Sequence, residues 1–398
     1  MRTTKIMRSG LALTAALPAF LCLAMSLPGE PARGATPLVQ EQIAFGSAGI
    51  PAGVVSSPGG IAHHAVGDFN ADGMDDLLLD LGADGMWLWD RGTWNRISTS
   101  NMEGMVLAEY DGDAGAEVFV DRGASGLWVF NFLSFSQLTS SLPETVAAGD
   151  VDGDGMDEAI VDLWSLGAAS APIGLWLYNS GWSRISPVNP DFEIAADIDA
   201  DAVDEVISDF GGVGLWKRDG DTWTQMTGVS PEFMTSGNHD NHAGADLIFD
   251  FGSLGVWLWS GGAPGWFIQS GANPEHLITG DVKGITQDEI VGDFGPIGLW
   301  LWSTGDWSQL SGVNPDDMII ADPDGDAKGE VVADFGTLGL WLWDTNVWTQ
   351  LSSQNPETLL AGDLDGDGQD EVLGDFGTLG LWNYDSGAWA LLRPENLD

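Results

Sequence analysis

The sequence is poor in cysteine and in basic residues, and each shortage excludes a class of protein. Cys22 is the single cysteine among 398 residues, and it lies in an apolar stretch near the N-terminus. Removal of that stretch would leave no cysteine, which excludes stabilisation by disulfides. The chain has 13 Lys+Arg against 60 Asp+Glu, a formal net charge of −47. Such a surface repels the polyanions nucleic acid and anionic lipid, so nucleic-acid binding is excluded.

Helical periodicity and catalytic motifs are also lacking. We find no long 3.6-residue pattern, nucleophile elbow, phosphate loop, zinc motif or cofactor fingerprint. Hydrophobic residues make up 44% of the chain, enough for a sizeable core. A folded chain of this charge repels itself, so we expect bound cations, high salt or both to stabilise it.

Residues 1–35 are typical of a secretory signal. Basic residues among the first eight positions precede an apolar stretch at 11–25, and small residues allow cleavage near 26 or near 34–35. A transmembrane anchor is the alternative, but the apolar run is short and small residues follow it. We therefore predict a secreted protein, extracellular or at the cell surface, with no transmembrane segment after cleavage.

One unit is repeated eight times along residues 61–398. The acidic segments that mark the units begin at Asp68, Glu109, Asp150, Asp197, Asn238, Asp281, Asp322 and Asp363. Successive starts are 41, 41, 47, 41, 43, 41 and 41 residues apart, and the longest interval contains an insertion around 165–172. Each unit has four short runs rich in aromatic and β-branched residues, separated by Gly and Pro turns, which is typical of strands.

Four strands in such a repeat match the size of a propeller blade. We predict an all-β fold, a β-propeller of eight blades of four antiparallel strands, with calcium loops between strands. Within the N-terminal segment 36–60, residues 42–55 could add a strand to the last blade and close the ring. Closure removes exposed sheet edges. A seven-bladed ring with an extra unit and an open solenoid are the alternatives.

The acidic segments have the spacing of a cation-binding loop. In the first unit, Asp68, Asn70 and Asp72 occupy positions 1, 3 and 5, Gly73 follows at position 6, and Asp76 stands at position 9. Alternate side chains of a tight loop converge, and calcium accepts about six to eight oxygen ligands. The first half matches an EF-hand loop, although the last acid comes three residues earlier. We predict a calcium site here.

Seven further copies of the loop differ in completeness. The full pattern recurs at Asp150, Asp152, Asp154, Glu158 and at Asp363, Asp365, Asp367, Glu371. Copies without Gly at position 6 keep four acids at Asp197, Asp199, Asp201, Glu205, at Asp322, Asp324, Asp326, Glu330, and at Glu109, Asp111, Asp113, Glu117. Solvated acidic turns are the plain alternative, but recurrence at a fixed offset favours several calcium ions.

Two copies are degraded. The fifth retains Asn238, Asp240, His242 and Asp246, and its two histidines, His239 and His242, suggest a transition-metal site as an alternative to sequence drift. In the sixth, Lys283 and Ile285 replace two ligands, and the lysine would neutralise the remaining carboxylates.

The segment from Gly67 to Leu77, Gly-Asp-Phe-Asn-Ala-Asp-Gly-Met-Asp-Asp-Leu, resembles the VCBS and FG-GAP class of repeats, also seen in integrin-alpha-type propellers. The resemblance covers all eight units and implies a propeller with calcium in inter-strand loops. Members of that class include adhesins, lectins, enzyme accessory domains and some polysaccharide lyases, so the resemblance alone does not select a function.

Each unit also has an Asp at the end of the strand after the loop. These residues are Asp80, Asp121, Asp162, Asp209, Asp250, Asp293, Asp334 and Asp375. They would either line a channel and hold further cations, or accept hydrogen bonds from the backbone of the following Gly turn.

The 20 tryptophans all lie in the repeats. Pairs such as Trp87 and Trp89 share strand parity and would pack between blades. The set expected to be more exposed, and able to stack on sugar rings, comprises Trp94, Trp182, Trp223, Trp307, Trp348 and Trp389.

Together these features predict a secreted, calcium-binding, non-enzymatic module that binds a glycan or a surface protein. One alternative is a polysaccharide lyase or hydrolase on a propeller scaffold. Another is a self-assembling extracellular structural protein whose acidic edges are bridged by calcium. The sequence leaves the oligomeric state open.

Overall fold

A computed structural model describes residues 63–164, 173–240, 242–262 and 265–397. Within these ranges, 32 strands form eight four-stranded sheets, arranged as a ring of eight blades. The all-β, eight-bladed β-propeller predicted from the sequence is confirmed. The predicted signal (1–35), its Cys22, the candidate closing strand (36–60) and the insertion at 165–172 lie outside the described residues.

Each blade is one continuous stretch of chain that folds into four consecutive antiparallel strands. Blades 1 to 4 contain β1–β4 (His64–Gly67, Asp76–Asp80, Met86–Asp90, Thr93–Arg96), β5–β8 (Gly104–Ala108, Glu117–Asp121, Leu127–Asn131, Ser134–Gln137), β9–β12 (Leu142–Gly149, Glu158–Trp164, Gly174–Tyr178, Trp182–Arg184) and β13–β16 (Phe192–Ala196, Glu205–Asp209, Leu215–Asp219, Thr222–Thr227). Blades 5 to 8 contain β17–β20 (Phe233–Gly237, Asp246–Asp250, Val256–Ser260, Gly265–Ser270), β21–β24 (His276–Gly280, Glu289–Asp293, Leu299–Ser303, Asp306–Ser311), β25–β28 (Asp317–Ala321, Glu330–Asp334, Leu340–Asp344, Val347–Ser352) and β29–β32 (Thr358–Gly362, Glu371–Asp375, Leu381–Asp385, Ala388–Arg393).

The strands of a blade differ in burial according to their place in the sheet. The second strand, such as Glu330–Asp334, is buried along its whole length, because it lies mid-sheet and neighbouring blades cover both faces. The fourth strand, such as Val347–Ser352, is mostly exposed. Apolar residues of adjacent blades form shared clusters; Ile278 and Val291 of blade 6, for example, pack with Met318 and Val331 of blade 7. Each fully buried side chain of this kind contributes about 1.5–3 kcal/mol.

A backbone hydrogen bond joins every pair of neighbouring blades in the described ring. The N–H of position 8 of one acidic loop donates to the carbonyl of position 1 of the preceding loop, as from Asp370 to Asp322 at 2.8 Å. Blades 8 and 1 are joined in the same way, by Asp75 N to Asp363 O at 2.7 Å. The ring is therefore closed by the same contact that joins the other blades.

A short 3₁₀ turn follows the second strand in seven of the eight blades as described. These turns are Gly82–Asp84, Gly123–Ser125, Gly211–Val213, Gly252–Leu254, Gly295–Ile297, Gly336–Leu338 and Gly377–Leu379. The glycine after each turn has a positive φ and closely approaches the fourth strand. A Cβ at Gly339, for instance, would lie 2.3 Å from the Ser352 carbonyl oxygen. The acidic loops precede the second strand, so loops and 3₁₀ turns lie on opposite faces of the ring.

Candidate functional site: acidic loops and inter-blade clefts

The acidic loops share one backbone conformation in six blades. Positions 4 and 6 have positive φ, as in Gly153 and Gly155 (φ 78 and 86) of blade 3. Blades 4 and 7 keep this conformation without Gly at position 6, because Ala202 (φ 68) and Ala327 (φ 65) adopt it. A left-handed Ala costs about 1–2 kcal/mol, so these two loops are strained but not reshaped.

Two hydrogen bonds hold the loop closed. The first-position carboxylate accepts the N–H of position 6, as from Gly155 to Asp150 Oδ2 at 2.8 Å and from Ala202 to Asp197 Oδ2 at 3.0 Å. The ninth-position carboxylate accepts the N–H of position 2, as from Val151 to Glu158 Oε2 at 3.0 Å. These bonds bring both ends of the ligand pattern to one centre.

Carboxylate oxygens meet within 4.8 Å of one another in at least five of the predicted loops. The groups are Asp111, Asp113, Glu117; Asp150, Asp152, Glu158; Asp197, Asp199, Glu205; Asp322, Asp324, Glu330; and Asp363, Asp365, Asp367. In blades 3, 4 and 7 the group therefore joins positions 1, 3 and 9. These groups have the composition of a site for a metal ion, and oxygen-only ligands suit calcium.

In these three blades the fifth-position acids lie outside the groups of three. Asp154 and Asp201 each accept the backbone N–H two residues on, at 3.0 Å, while Asp326 forms an ion pair with Lys328. Glu109 in blade 2 is likewise separate, and its N–H donates to Asp157 at 2.9 Å.

The first loop combines an amide and an ion pair. Asn70 Nδ2 donates to Asp76 Oδ2 at 3.2 Å, so positions 3 and 9 are in contact. Asp72 forms an ion pair with Arg91 at 2.7 Å. A cation here would need Asn70 to present its amide oxygen and would compete with Arg91 for Asp72.

The ninth-position carboxyls are desolvated and surrounded by like charge. Burial, followed by repulsion from Asp90, raises the pKa of Asp76 to about 8. Burial and the charges of Asp324 and Asp322 raise the pKa of Glu330 to about 9. Glu117, Glu158 and Glu205 are each raised to about 7, with burial as the main cause. A divalent cation would offset the repulsion between carboxylates in these five loops.

Blade 7 provides an internal test of whether these residues fit a cation. Position 2 is Pro323, which has no N–H, so Glu330 lacks the hydrogen bond that the ninth position receives elsewhere. Glu330 Oε2 is buried and has no hydrogen-bond partner. Buried carboxylate oxygens are otherwise satisfied by donors or cations. Glu330 is in the group with Asp322 and Asp324, and the three carboxylates fit a hard cation.

The degraded sixth loop keeps its shape without the ligand set. Ile285 N and Thr286 N both donate to the Asp281 carboxylate at 3.0 Å, and Lys283 N donates to Glu289 at 3.0 Å. Backbone N–H groups thus use the two remaining acids. The conformation is therefore a property of the chain, and the sixth loop lacks the position 3 acid that completes the carboxylate groups of blades 3, 4 and 7.

The fifth loop does not bring its two histidines together as a transition-metal site. His239 is buried at position 2, and its Nδ1 lies 2.8 Å from the Asp288 carbonyl oxygen. His242 is exposed and pairs with Asp240 at 2.9 Å. Their opposite environments argue against a shared metal ion.

The aspartates at the end of the second strand have the structural role considered above. In seven blades the carboxylate is close to the N–H of the Gly two residues on, as from Gly123 to Asp121 at 2.8 Å and from Gly252 to Asp250 at 2.8 Å. These bonds fix the start of the 3₁₀ turn. Asp162, in blade 3, is the exception.

The tryptophans expected to be exposed are instead half-buried on the fourth strands. Each donates its indole N–H to a backbone carbonyl of the preceding blade, and for Trp348 this is Leu310 O at 3.0 Å. The equivalent bonds reach Leu392 from Trp94, Leu138 from Trp182, Ile185 from Trp223, Gln269 from Trp307 and Leu351 from Trp389. The prediction of exposure is wrong, because a backbone carbonyl of the preceding blade accepts each indole N–H and holds the ring against that blade.

The first tryptophan of the third strand is also half-buried, but its indole N–H bonds at an exposed position within its own blade. Trp341 Nε1 and Gln350 Nε2 both donate to Leu338 O, at 2.9 and 3.0 Å. The same Trp–Gln arrangement on one carbonyl occurs in blades 2, 4 and 6. The sequence predicts packing between blades for such tryptophans, and Trp341 does pack, half-buried, against the cluster shared by blades 6 and 7. The Gln in register on the next strand marks its exposed edge.

An open cleft between blades 6 and 7 contains this arrangement. It encloses about 510 Å³ and is lined by Ser311, Val313, Phe335, Thr337, Leu338, Trp341, Trp348, Gln350 and Ser353. Leu338, at its edge, is 52% exposed. The lining combines aromatic faces with hydroxyl and amide groups and contains no carboxylate, histidine or lysine.

At two other blade interfaces an arginine covers the corresponding aromatic rings. Between blades 8 and 1, the Arg393 guanidinium lies 4.3 Å from the Trp87 ring centre and 4.9 Å from that of Trp94. Between blades 1 and 2, Arg122 lies 4.9 Å from Trp128 and 5.2 Å from Phe135. These cation–π contacts place a charged group on aromatic rings equivalent to those that line the cleft between blades 6 and 7.

No family model and no curated protein matches this sequence. Among solved structures, BBS1N in complex with ARL6DN is similar at 10% identity, with a TM-score of 0.48 and coverage of 91% of this chain and 100% of that chain. The GH74 xyloglucanase from Xanthomonas campestris has 13% identity and a TM-score of 0.34, covering 82% and 77%. The SapL1 lectin in complex with alpha methyl fucoside has 11% identity and a TM-score of 0.31, covering 84% and 95%.

None of these similarities indicates a function for this chain. Among the described residues, no helix is both long and apolar enough to span a membrane.

Proposed function

We propose that this chain is a secreted, calcium-loaded propeller that binds a glycan without modifying it. The observation that supports this best is the cleft between blades 6 and 7, with its paired Trp341 and Trp348 and its Gln350. Sites for small ligands are concave, mostly apolar and carry a few fixed polar groups, with volumes of about 300–1,000 Å³. A sugar ring presents an apolar face to an aromatic ring and hydroxyls to its surroundings.

The polar groups of the cleft are already positioned. Gln350 Nε2 is held by Leu338 O at 3.0 Å, which leaves its Oε1 to accept a sugar hydroxyl. The same carbonyl fixes Trp341 at 2.9 Å, and Leu310 O fixes Trp348 at 3.0 Å. Because both indoles are oriented before the ligand arrives, binding would cost little side-chain entropy.

The composition of the cleft favours binding over catalysis. Glycosidases use a pair of carboxyl groups beside the scissile bond, and none of the nine lining residues is an Asp or Glu. The lyase and hydrolase alternatives would need titratable residues here. An adhesion role through a protein partner would use a larger, flatter surface than this cleft.

Calcium has a supporting role in this proposal. The acidic loops lie on the face opposite the 3₁₀ turns, and the Leu338 carbonyl that positions Trp341 belongs to such a turn. We therefore expect calcium to stabilise the ring through linkage rather than to contact the glycan. The assignment to VCBS and FG-GAP repeats and the secreted location are part of the proposal.

A glycan array probed with the calcium-loaded protein tests the proposal. We expect a defined set of glycans to bind. Trp341→Ala should lower their affinity at least 10-fold, because it removes the indole that contacts the sugar and leaves the closure of the propeller intact. Trp128→Ala is the matched control, because Arg122 already covers that ring at 4.9 Å. Absence of glycan binding by the folded wild type, or equal losses in both variants, would refute the cleft as a glycan site.

A further inference from the structure

Asp162 in blade 3 differs from the equivalent aspartates of the other blades. It is 0% exposed, and neither of its carboxylate oxygens receives a hydrogen bond from a donor. In the other blades the chain turns after this Asp and the Gly two residues on donates its N–H. In blade 3 the strand instead continues to Trp164, with Leu163 pairing to Gly174. The donor is lost because the strand does not end.

Two further carboxylates lie beside Asp162. Glu144, on β9, is within hydrogen-bonding distance of it, although neither carboxylate supplies a hydrogen when ionised. Glu193, on the first strand of blade 4, is 1% exposed and accepts the Thr145 hydroxyl with both oxygens, at 2.7 and 2.9 Å. Thr145 is the cross-strand partner of Asp162. Two neighbouring blades thus direct three carboxylates to one place.

Glu193 breaks the pattern of the repeat. The equivalent first-strand positions are apolar in six of the other blades, Met105, Val146, Met234, Leu277, Met318 and Leu359, and His64 in blade 1. An acid at this buried apolar position is costly unless something neutralises it. Burial and the charge of Glu193 raise the pKa of Asp162 to about 8, and burial raises the pKa of Glu193 to about 8.

We propose that Glu144, Asp162 and Glu193 bind a divalent cation of the oxygen-preferring class, with Ca²⁺ as the best-suited ion. Asp162 and Glu144 contact each other with no donor between them, so they need either a cation or a proton at that contact. Glu144 is exposed and also accepts Asn189 Nδ2 at 3.3 Å, and together with the buried Glu193 the pair offers the oxygen-only ligands that calcium prefers. The site is independent of the acidic loops. Asp162 lies four residues beyond Glu158 along the strand, about 13 Å at the usual rise.

The test counts the ions that the full chain binds. Protein dialysed against Ca²⁺ is analysed by native mass spectrometry as wild type, as Asp162→Asn and as Asp121→Asn. We expect Asp162→Asn to bind one ion fewer. Asp121→Asn should bind the full number, because Asp121 accepts its hydrogen bond from Gly123 at 2.8 Å and belongs to no such group. An unchanged count in Asp162→Asn would overturn the proposal and show that the carboxyls share a proton.

Thermal unfolding distinguishes loss of the ion from loss of the fold. In EDTA, Asp162→Asn should melt at a higher temperature than wild type, because it removes a buried charge without a counter-ion. In Ca²⁺ the order should reverse, because the wild type regains its ion. A variant that melts below wild type by the same amount in both conditions would refute the cation site. Neither measurement depends on glycan binding.

Discussion

The loops of blades 6 and 7 have the same backbone but differ in what they offer a cation. In both, a first-position Asp accepts the N–H of position 6, from Thr286 at 3.0 Å and from Ala327 at 2.9 Å. Blade 7 presents Asp324 at position 3, where blade 6 has Lys283. The difference shows that the backbone shape does not depend on the metal. Blade 6 is thus a natural reference for blade 7 that lacks the position 3 carboxylate.

Removal of every divalent cation should have the largest effect. Each occupied loop stabilises the fold by about 2.7 kcal/mol at a calcium concentration 100-fold above Kd, and several loops contribute. We expect EDTA to lower the melting temperature by more than about 10 °C in differential scanning calorimetry. Monovalent salt at matched ionic strength is the control. Equal protection by salt and calcium would mean that screening alone stabilises the ring.

Acidification should partly replace calcium. Burial raises the pKa of Asp121 and Asp334 to about 7, above their ordinary value of 3.8. The native chain therefore binds more protons than the unfolded chain between about pH 4 and pH 7, and its stability falls as pH rises through this range. In EDTA, we expect a higher melting temperature at pH 5 than at pH 8. A flat or opposite profile would contradict the assigned pKa directions.

A single substitution in blade 7 should have opposite effects on the melting temperature in EDTA and in calcium. In EDTA, Asp324→Asn should raise the melting temperature by relieving Glu330 of a close charge. In calcium it should cost about 1–3 kcal/mol through the lost ligand. Lys283→Met in blade 6 is the matched control and should show no calcium-dependent change. The opposite experiment, Lys283→Asp with Ile285→Asp, should add one bound ion without remodelling the loop.

The smallest predicted effect comes from loop strain. Ala202 has a φ of 68 in blade 4, where blade 3 has Gly155 with a φ of 86. Ala202→Gly should stabilise the protein by about 1 kcal/mol, and Gly155→Ala should destabilise it by a similar amount. Chemical denaturation in saturating calcium measures both. A loss of stability in Ala202→Gly would show that unfolded-chain entropy outweighs the strain.

The sequence predicted the features that recur at the same position in every repeat. The blade count follows from the 41-residue spacing, and the positions of Asp150, Asp152 and Glu158 follow from the loop pattern. The sequence did not predict contacts between blades, because the distance between residues of two blades depends on how the blades pack against each other. The indole of Trp348 reaches a carbonyl one blade away, 38 residues earlier. Asp162 loses its hydrogen-bond donor because its strand is longer than in the other blades. The composition of the segment does not show where that strand ends.

The bond between Asp75 and Asp363 makes the junction of blades 8 and 1 equivalent to the others. Because every junction has this backbone bond, the bond itself does not distinguish a first blade from the others. Circular permutants that open between other blades should therefore keep the same set of inter-blade bonds. Gene duplication could add or remove a blade at any junction. The number of blades retained would be the number at which the rotation from blade to blade adds up to a closed ring.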